Sequence, residues 1–297
     1  MSSSSSNNTM SLTGGMPTTH QDTAPSVIFI GLYLVTSALC FFRMLTQYRS
    51  PTRLLLTYLR LTIFEAVRIA TFIVRILGAK NYSDALKGKA QFNETLLIVE
   101  QILISVGYIM PASTLVKLVG FHSSRNEGGD SSGRSLNVIR LLELAITAAI
   151  VLGIIAGVNV NKSLTDPSVA HSVKTERTIS SVIIIVVLVL TVVSCLGLVQ
   201  RKDIPRRTTL WLGLTSSLLI VVPIYRIAAT ANPPANSNST GAKAAFYVFQ
   251  IAVEWLVGAS LLAVNAKEWC GLADERGVYS SYASEEAHKL AYTSGIY

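Results

Sequence analysis

Ser180–Gln200 reads SSVIIIVVLVLTVVSCLGLVQ, 21 residues without a single charge. At 1.5 Å rise per residue, about 20 apolar residues cross the hydrocarbon core of a bilayer, so this stretch predicts a transmembrane helix. The whole chain fits such a setting. Of its 297 residues, 50% are hydrophobic and only 14% are charged, against about 25% charged in ordinary soluble domains.

Hydropathy over windows of transmembrane length predicts six further spans, giving Ser26–Thr46, Leu54–Gly78, Leu96–Gly120, Val138–Val158, Ile179–Val199, Thr208–Thr230 and Ala244–Ala266. The second and fourth carry internal charges, and the loops on either side balance only if both cross. The expected architecture is therefore an all-α polytopic bundle of seven transmembrane helices. Residues 1–25 form a flexible outer tail, 26–266 the membrane domain and 267–297 a cytoplasmic tail. Met1–Pro25 lacks a basic leader and is rich in Ser, Thr and Asn, so it does not read as a cleaved signal peptide.

Two patterns orient the chain. With the N-terminus outside and the C-terminus cytoplasmic, inner segments hold 14 Lys and Arg, outer segments seven, and spans four, as expected when basic residues favour the cytoplasmic side. Glycosylation sequons are used only on the outer or lumenal face, and the five present, at Asn7, Asn81, Asn93, Asn161 and Asn238, all fall in outer segments. The net charge of +8 then faces anionic lipid headgroups rather than nucleic acid. Of the three cysteines, Cys40 and Cys195 lie in spans, so no outer-loop disulfide is expected. Cys270 follows Trp269 at the inner interface, where it is either a palmitoylation candidate or an unmodified thiol.

The membrane-embedded charges are the most informative residues. In FEAVRIATFIVR, Phe64–Arg75, the spacing of Glu65, Arg68, Phe72 and Arg75 places them on one helix face. A charge at mid-membrane costs about 2.5–3.5 kcal/mol on insertion scales, so such residues face the bundle interior, a partner or water. Depth suggests two layers of ion pairs: Glu65 and Arg68 with Glu254, then Arg75 and Arg226 with Glu100. Tyr247, Gln250, Glu254, Gly258 and Asn265 form a polar stripe on the seventh helix; Gln101, Ser105 and Tyr108 form another on the third, ending at Pro111. Pro111 and Pro223 free backbone carbonyls and predict kinks in helices three and six. The candidate site is thus a polar interior in the outer half. The same charges can instead serve only to fix helix packing. Glu143 reads as structural, paired with Arg140 or Lys117.

No motif in the chain points to catalysis. The four histidines, His20, His122, His171 and His288, fall in predicted loops or tails, so no metal site within the membrane is expected. There is no phosphate-binding loop or dinucleotide fingerprint, and no cofactor is expected. The rhodopsin-like receptor motifs are absent too: LVKLVGF ends helix three and LLAVNAKEW closes helix seven.

The charged FEAVRIATFIVR, the third-helix VEQILISVGYIMPAS leading into LVKLVGF, and VEWLVGASLL on the seventh resemble fungal seven-transmembrane proteins. These are the lipid-translocating exporter-like (Rta-like) group and related membrane domains of unknown function. The resemblance covers the layout from Ile28 to Ala266. It implies a fungal plasma-membrane or endomembrane protein linked to lipid asymmetry or amphiphile sensing, and carries over no functional residue. Two functions stay open. A receptor-like sensor would bind a small molecule or amphiphile in an outward-facing polar cavity and contact a cytoplasmic signalling partner through its Ser-rich loop, RKDIPRR loop and tail. A translocator would pass a lipid headgroup along a polar path. Missing internal repeats favour the sensor.

Overall fold

The computed structural model describes residues 13–48, 52–124, 132–164, 166–201, 204–234, 236 and 238–270. Every regular element among them is helical. In chain order these are α1 (Thr19–Thr46), α2 (Thr52–Leu86), α3 (Glu94–Gly107), α4 (Ile109–Ser123), α5 (Ser132–Val158), a 3-10 turn (Lys162–Leu164), α6 (Pro167–Val199), α7 (Arg206–Ala231), α8 (Thr240–Ala245), a π-helical segment (Phe246–Ala252), α9 (Val253–Ala263) and α10 (Ala266–Trp269).

Six of the rods are long and apolar enough to cross a membrane: α1, α3 with α4, α5, α6, α7, and α8 through α9. The second expected span falls on α2, a 35-residue helix whose charges keep it outside that apolar set. Consecutive rods pack side by side, and α9 returns to α1, closing the bundle. The α3–α4 rod is the most deeply buried of the six and touches α2, α5, α6, α7 and α9. Outward faces are apolar: Leu56, Leu59, Ile63, Ile73 and Leu77 of α2 are exposed, as are Val182, Val186, Val189 and Val193 of α6.

The element ends differ from the sequence-based expectation in four informative ways. α1 begins at Thr19, before Pro25, so the outer tail stops short of residue 25, and residues 13–18 lie against the bundle. The third rod breaks at Tyr108, three residues before Pro111, which cannot donate the hydrogen bond that would cross the break. By contrast, α7 runs unbroken through Pro223. The seventh helix ends at Ala263, and Asn265 lies beyond it as the cap of α10, accepting from the Lys267 N–H. α6 starts at Pro167, twelve residues ahead of the expected Ile179, with Asp166 as its N-cap. Bonds from the Ser168 hydroxyl and backbone N–H hold the Asp166 carboxyl below the usual carboxylate range.

Three of the four histidines also sit on helices, contrary to the loop assignment: His20 on α1, His171 on α6 and His122 on α4. His122 is fully buried, with Nε2 at 2.8 Å from Thr209 Oγ1. His288 and Asn7 lie outside the described residues.

Candidate functional site

Four described sequons gather at one end of the bundle. Asn81 Nδ2 donates to the Gln91 carbonyl, and Asn81 Oδ1 accepts from the Asn93 N–H. Asn93 N-caps α3, the Asn161 amide donates to Glu94, and Asn238 sits in the α7–α8 connection. The opposite end carries Arg43, Arg53, Lys117, Arg140, Arg201, Arg206 and Arg207.

Just beneath the sequon end lies a cluster centred on Arg75. Its Nη2 donates to Asp22 Oδ1 at 2.7 Å and to the Gly14 carbonyl at 2.7 Å, its Nε donates to Asp22 and to the Tyr247 hydroxyl, and its Nη1 pairs with Glu100. The guanidinium also stacks on the Phe246 ring, 4.9 Å from its centroid. Lys243 Nζ reaches Asp22 Oδ2 at 2.6 Å and also donates to the Met16 carbonyl. Two acids thus meet two cations, all buried; Arg75, Asp22 and Lys243 each have more than one partner, while Glu100, among the described residues, meets Arg75 alone through Oε1. That multiplicity is what makes burial of ion pairs tolerable.

Residues 13–18 close this cluster from above by main-chain contacts. Besides the Gly14 and Met16 carbonyls, the Thr13 backbone exchanges two hydrogen bonds with the Gln101 side chain, at 3.3 and 3.1 Å, and Thr18 N–H donates to Asp22 at 2.8 Å. Gly14 and Gly15 have φ of 80° and 65°, a region L side chains rarely adopt. A Cβ on Gly14 would also press the Phe246 ring at 3.1 Å.

One layer deeper, Arg68 of α2 pairs with Glu254 of α9. Arg68 and Arg226 also reach the Leu103 and Ile104 carbonyls, both at 3.5 Å, near the C-terminus of α3, where the break at Tyr108 leaves carbonyls short of partners. Arg226 donates to Ser105 Oγ at 3.2 Å and lies over the Tyr108 ring. Glu65 accepts from Thr36 Oγ1 at 2.7 Å, with Oε1 facing Gly258. Gly107 makes room for Arg68, because a Cβ there would stand 2.4 Å from the guanidinium carbon and force the side chain to shift. The π segment adds a residue to its turn, and Tyr247, Gln250 and Glu254 still all point inward.

Several buried polar atoms around this layer have no hydrogen-bond partner among the described residues: the Tyr33 and Tyr108 hydroxyls, Glu65 Oε1 and Arg226 Nε. They come from α1, α2, the α3–α4 break and α7. The Gln250 amide lies beside the Glu254 carboxylate. Beneath them Tyr58, Leu61, Leu115, Leu219 and Leu261 form an apolar floor.

The residues singled out in the sequence therefore come together, with changed partners. Arg68 meets Glu254, and Arg75 meets Glu100. Arg226 does not join Arg75 at Glu100 but turns to Ser105 and the α3 backbone, and Glu65 turns to α1. Glu143 pairs with Lys117 and with Arg60, at 2.6 and 2.9 Å, rather than with Arg140. Cys270 is buried, its Sγ 4.0 Å from the Leu118 carbonyl, so a palmitoyl chain has no access to it in this conformation.

Sequence reasoning passed over Asp22, Lys243 and Arg177, whose Nη2 donates to Gln101 at 3.2 Å. Asp22 was hidden because Pro25 reads as a helix boundary. The signal that betrays it is the run Asp22, Ser26, Tyr33, Thr36 and Cys40, which follows one helical face and is the buried face of α1. Lys243 precedes Tyr247 by one turn on the stripe already recognised. Arg177 lies outside the uncharged run and carried no signal.

Compared with known proteins, the chain matches no family model, no curated sequence and no solved structure.

Proposed function

We propose that this chain is a seven-span membrane protein acting as a receptor-like sensor, whose polar interior responds to a small molecule or amphiphile. α2 supplies the seventh span: its charges at Glu65, Arg68 and Arg75 are all buried, while its exposed face is apolar. The sequon end is the outer or lumenal face and the basic end faces the cytoplasm, with N-glycans on the sequons and a signalling partner at the basic loops. The resemblance to the Rta-like fungal group accords with this layout and with a plasma-membrane or endomembrane location.

The observation that carries the reading is the set of unpartnered polar atoms at Tyr33, Tyr108, Glu65 and Arg226. Each buried polar group left unsatisfied costs about 1–3 kcal/mol, so the layer is built to receive donors and acceptors from water or a ligand. It lies above an apolar floor and beneath a cover made by residues 13–18. A translocator would instead need its polar residues open sideways to lipid, whereas Arg68, Arg75, Glu65 and Glu254 are fully buried.

Thermal unfolding of the full chain in lipid nanodiscs, screened against sterols, sphingoid bases and small polar metabolites, tests this. Stabilisation by one class, lost in Gln250→Leu and Glu254→Gln, is expected. If no class stabilises the protein and Glu254→Gln changes no response, the charges only hold the helices together. Accelerated scrambling of fluorescent lipids in reconstituted vesicles would favour translocation.

A further inference from the structure

At the basic end, far from the layer just described, a cleft of about 410 Å³ opens between α2, α4 and α5. Four cations line it, Arg53, Arg60, Lys117 and Arg140. Glu143 beside it serves two of them, with Oε1 on Arg60 and Oε2 on Lys117. Both of its oxygens are thereby engaged. Arg53 and Arg140 have no anionic partner among the described residues, and they line the cleft from α2 and α5, a half-open space of ligand size.

The surroundings favour a lipid over a soluble anion. Leu56 lines the cleft itself, and Leu59 of α2 and Leu141 and Leu144 of α5 present exposed apolar faces. A second, mostly apolar cleft of about 260 Å³ shares Gly120 and Ile139 as a wall and runs past Val116, Val119 and Leu198. Phosphate-bearing headgroups meet their cations in this setting, where a basic pocket between helices opens beside acyl chains. An excess of several positive charges over one carboxylate matches a headgroup with more than one phosphate better than a monoanionic one.

We propose that the cleft between α2, α4 and α5 is a binding site for an anionic lipid whose headgroup carries two or more phosphates, clamped between Arg53 and Arg140. The site goes beyond the proposed sensor function and is independent of it, since the two lie at opposite ends of the bundle.

The test uses the full chain in phosphatidylcholine nanodiscs containing a few mole percent of a bisphosphorylated inositol lipid, or phosphatidylserine at equal total charge, with bound lipid counted by native mass spectrometry. One inositol lipid retained per protein is expected, without matching retention of phosphatidylserine. Arg53→Ala with Arg140→Ala should weaken it about thirtyfold, the size expected for two juxtamembrane cations. Both side chains are exposed, so unfolding in pure phosphatidylcholine should be unchanged. Arg206→Ala with Arg207→Ala removes equal charge at the same end outside the cleft and should leave binding intact. Equal loss in that control, equal retention of phosphatidylserine, or binding of the soluble inositol phosphate as tight as that of the lipid would each overturn the proposal.

Discussion

Glu254→Gln should cost more than Arg68→Gln, although each breaks the same ion pair. Both side chains are fully buried, and among the described residues the Leu103 carbonyl at 3.5 Å and the Phe64 ring are the other contacts of the Arg68 guanidinium. Removing one partner of a buried pair costs about 3–5 kcal/mol, because the other charge stays desolvated. The two survivors differ chemically. A guanidinium cannot shed its proton inside a protein, whereas a carboxylate stripped of its cation can take one up. Glu254→Gln therefore belongs near the top of that range, about 4–5 kcal/mol, and Arg68→Gln near the bottom, about 3 kcal/mol. The double variant leaves two amides and no charge, so it should cost clearly less than the sum, with a coupling of about 2–3 kcal/mol. Equilibrium unfolding in mixed micelles on all four proteins gives the cycle. Additivity within about 0.5 kcal/mol, or Arg68→Gln as the worse single change, would refute the reasoning.

Three other outcomes follow from the same geometry. Gly107→Ala drives a methyl to 2.4 Å from the Arg68 guanidinium and should destabilise by about 1–3 kcal/mol as overpacking; the loss should shrink in an Arg68→Ala background, and equal loss in both would show that the clash is elsewhere. Gly14→Ala combines a φ of 80° with pressure on Phe246, a strain of about 1–2 kcal/mol, so limited proteolysis should cut residues 13–18 faster than in the parent chain; an unchanged rate would mean that this segment is not held as described. Asn93 is exposed at the sequon end, so in a glycosylating host Asn93→Gln should remove one endoglycosidase-sensitive mobility step, and a chain with no glycan at any sequon would count against placing that end outside.

What could be read from the sequence was whatever a bilayer imposes locally. An uncharged run such as Ser180–Gln200 has one stable solution in lipid, a helix, because each backbone polar group must be satisfied within its own segment. Charges at Glu65, Arg68, Arg75, Glu100, Arg226 and Glu254 had to turn inward for the same reason, and all six are buried. Depth along the helices even suggested two pairings that the structure contains, Arg68 with Glu254 and Arg75 with Glu100. Boundaries and third partners were another matter. Pro25 looked like a helix limit and Ile179 like a helix start, because hydropathy sees the hydrocarbon core and not the turns that project beyond it.

The partners of Arg226 and Glu65 were settled by contacts between helices distant in sequence. Breaking the third rod at Tyr108 exposes carbonyls that draw Arg68 and Arg226 towards Leu103 and Ile104, and no local pattern states which arginine will be within reach. The cover formed by residues 13–18 is likewise a tertiary product. Thr13, Gly14 and Met16 contribute main-chain atoms, which every residue possesses, so their identities could not announce Gln101, Arg75 and Lys243 as partners. Composition and periodicity determined that this chain folds as an all-helical membrane bundle with a charged interior. Only the packing of the rods decided which charges meet, what closes over them, and where polar atoms are left waiting for a partner, because those outcomes depend on distances between segments that the order of residues does not encode locally.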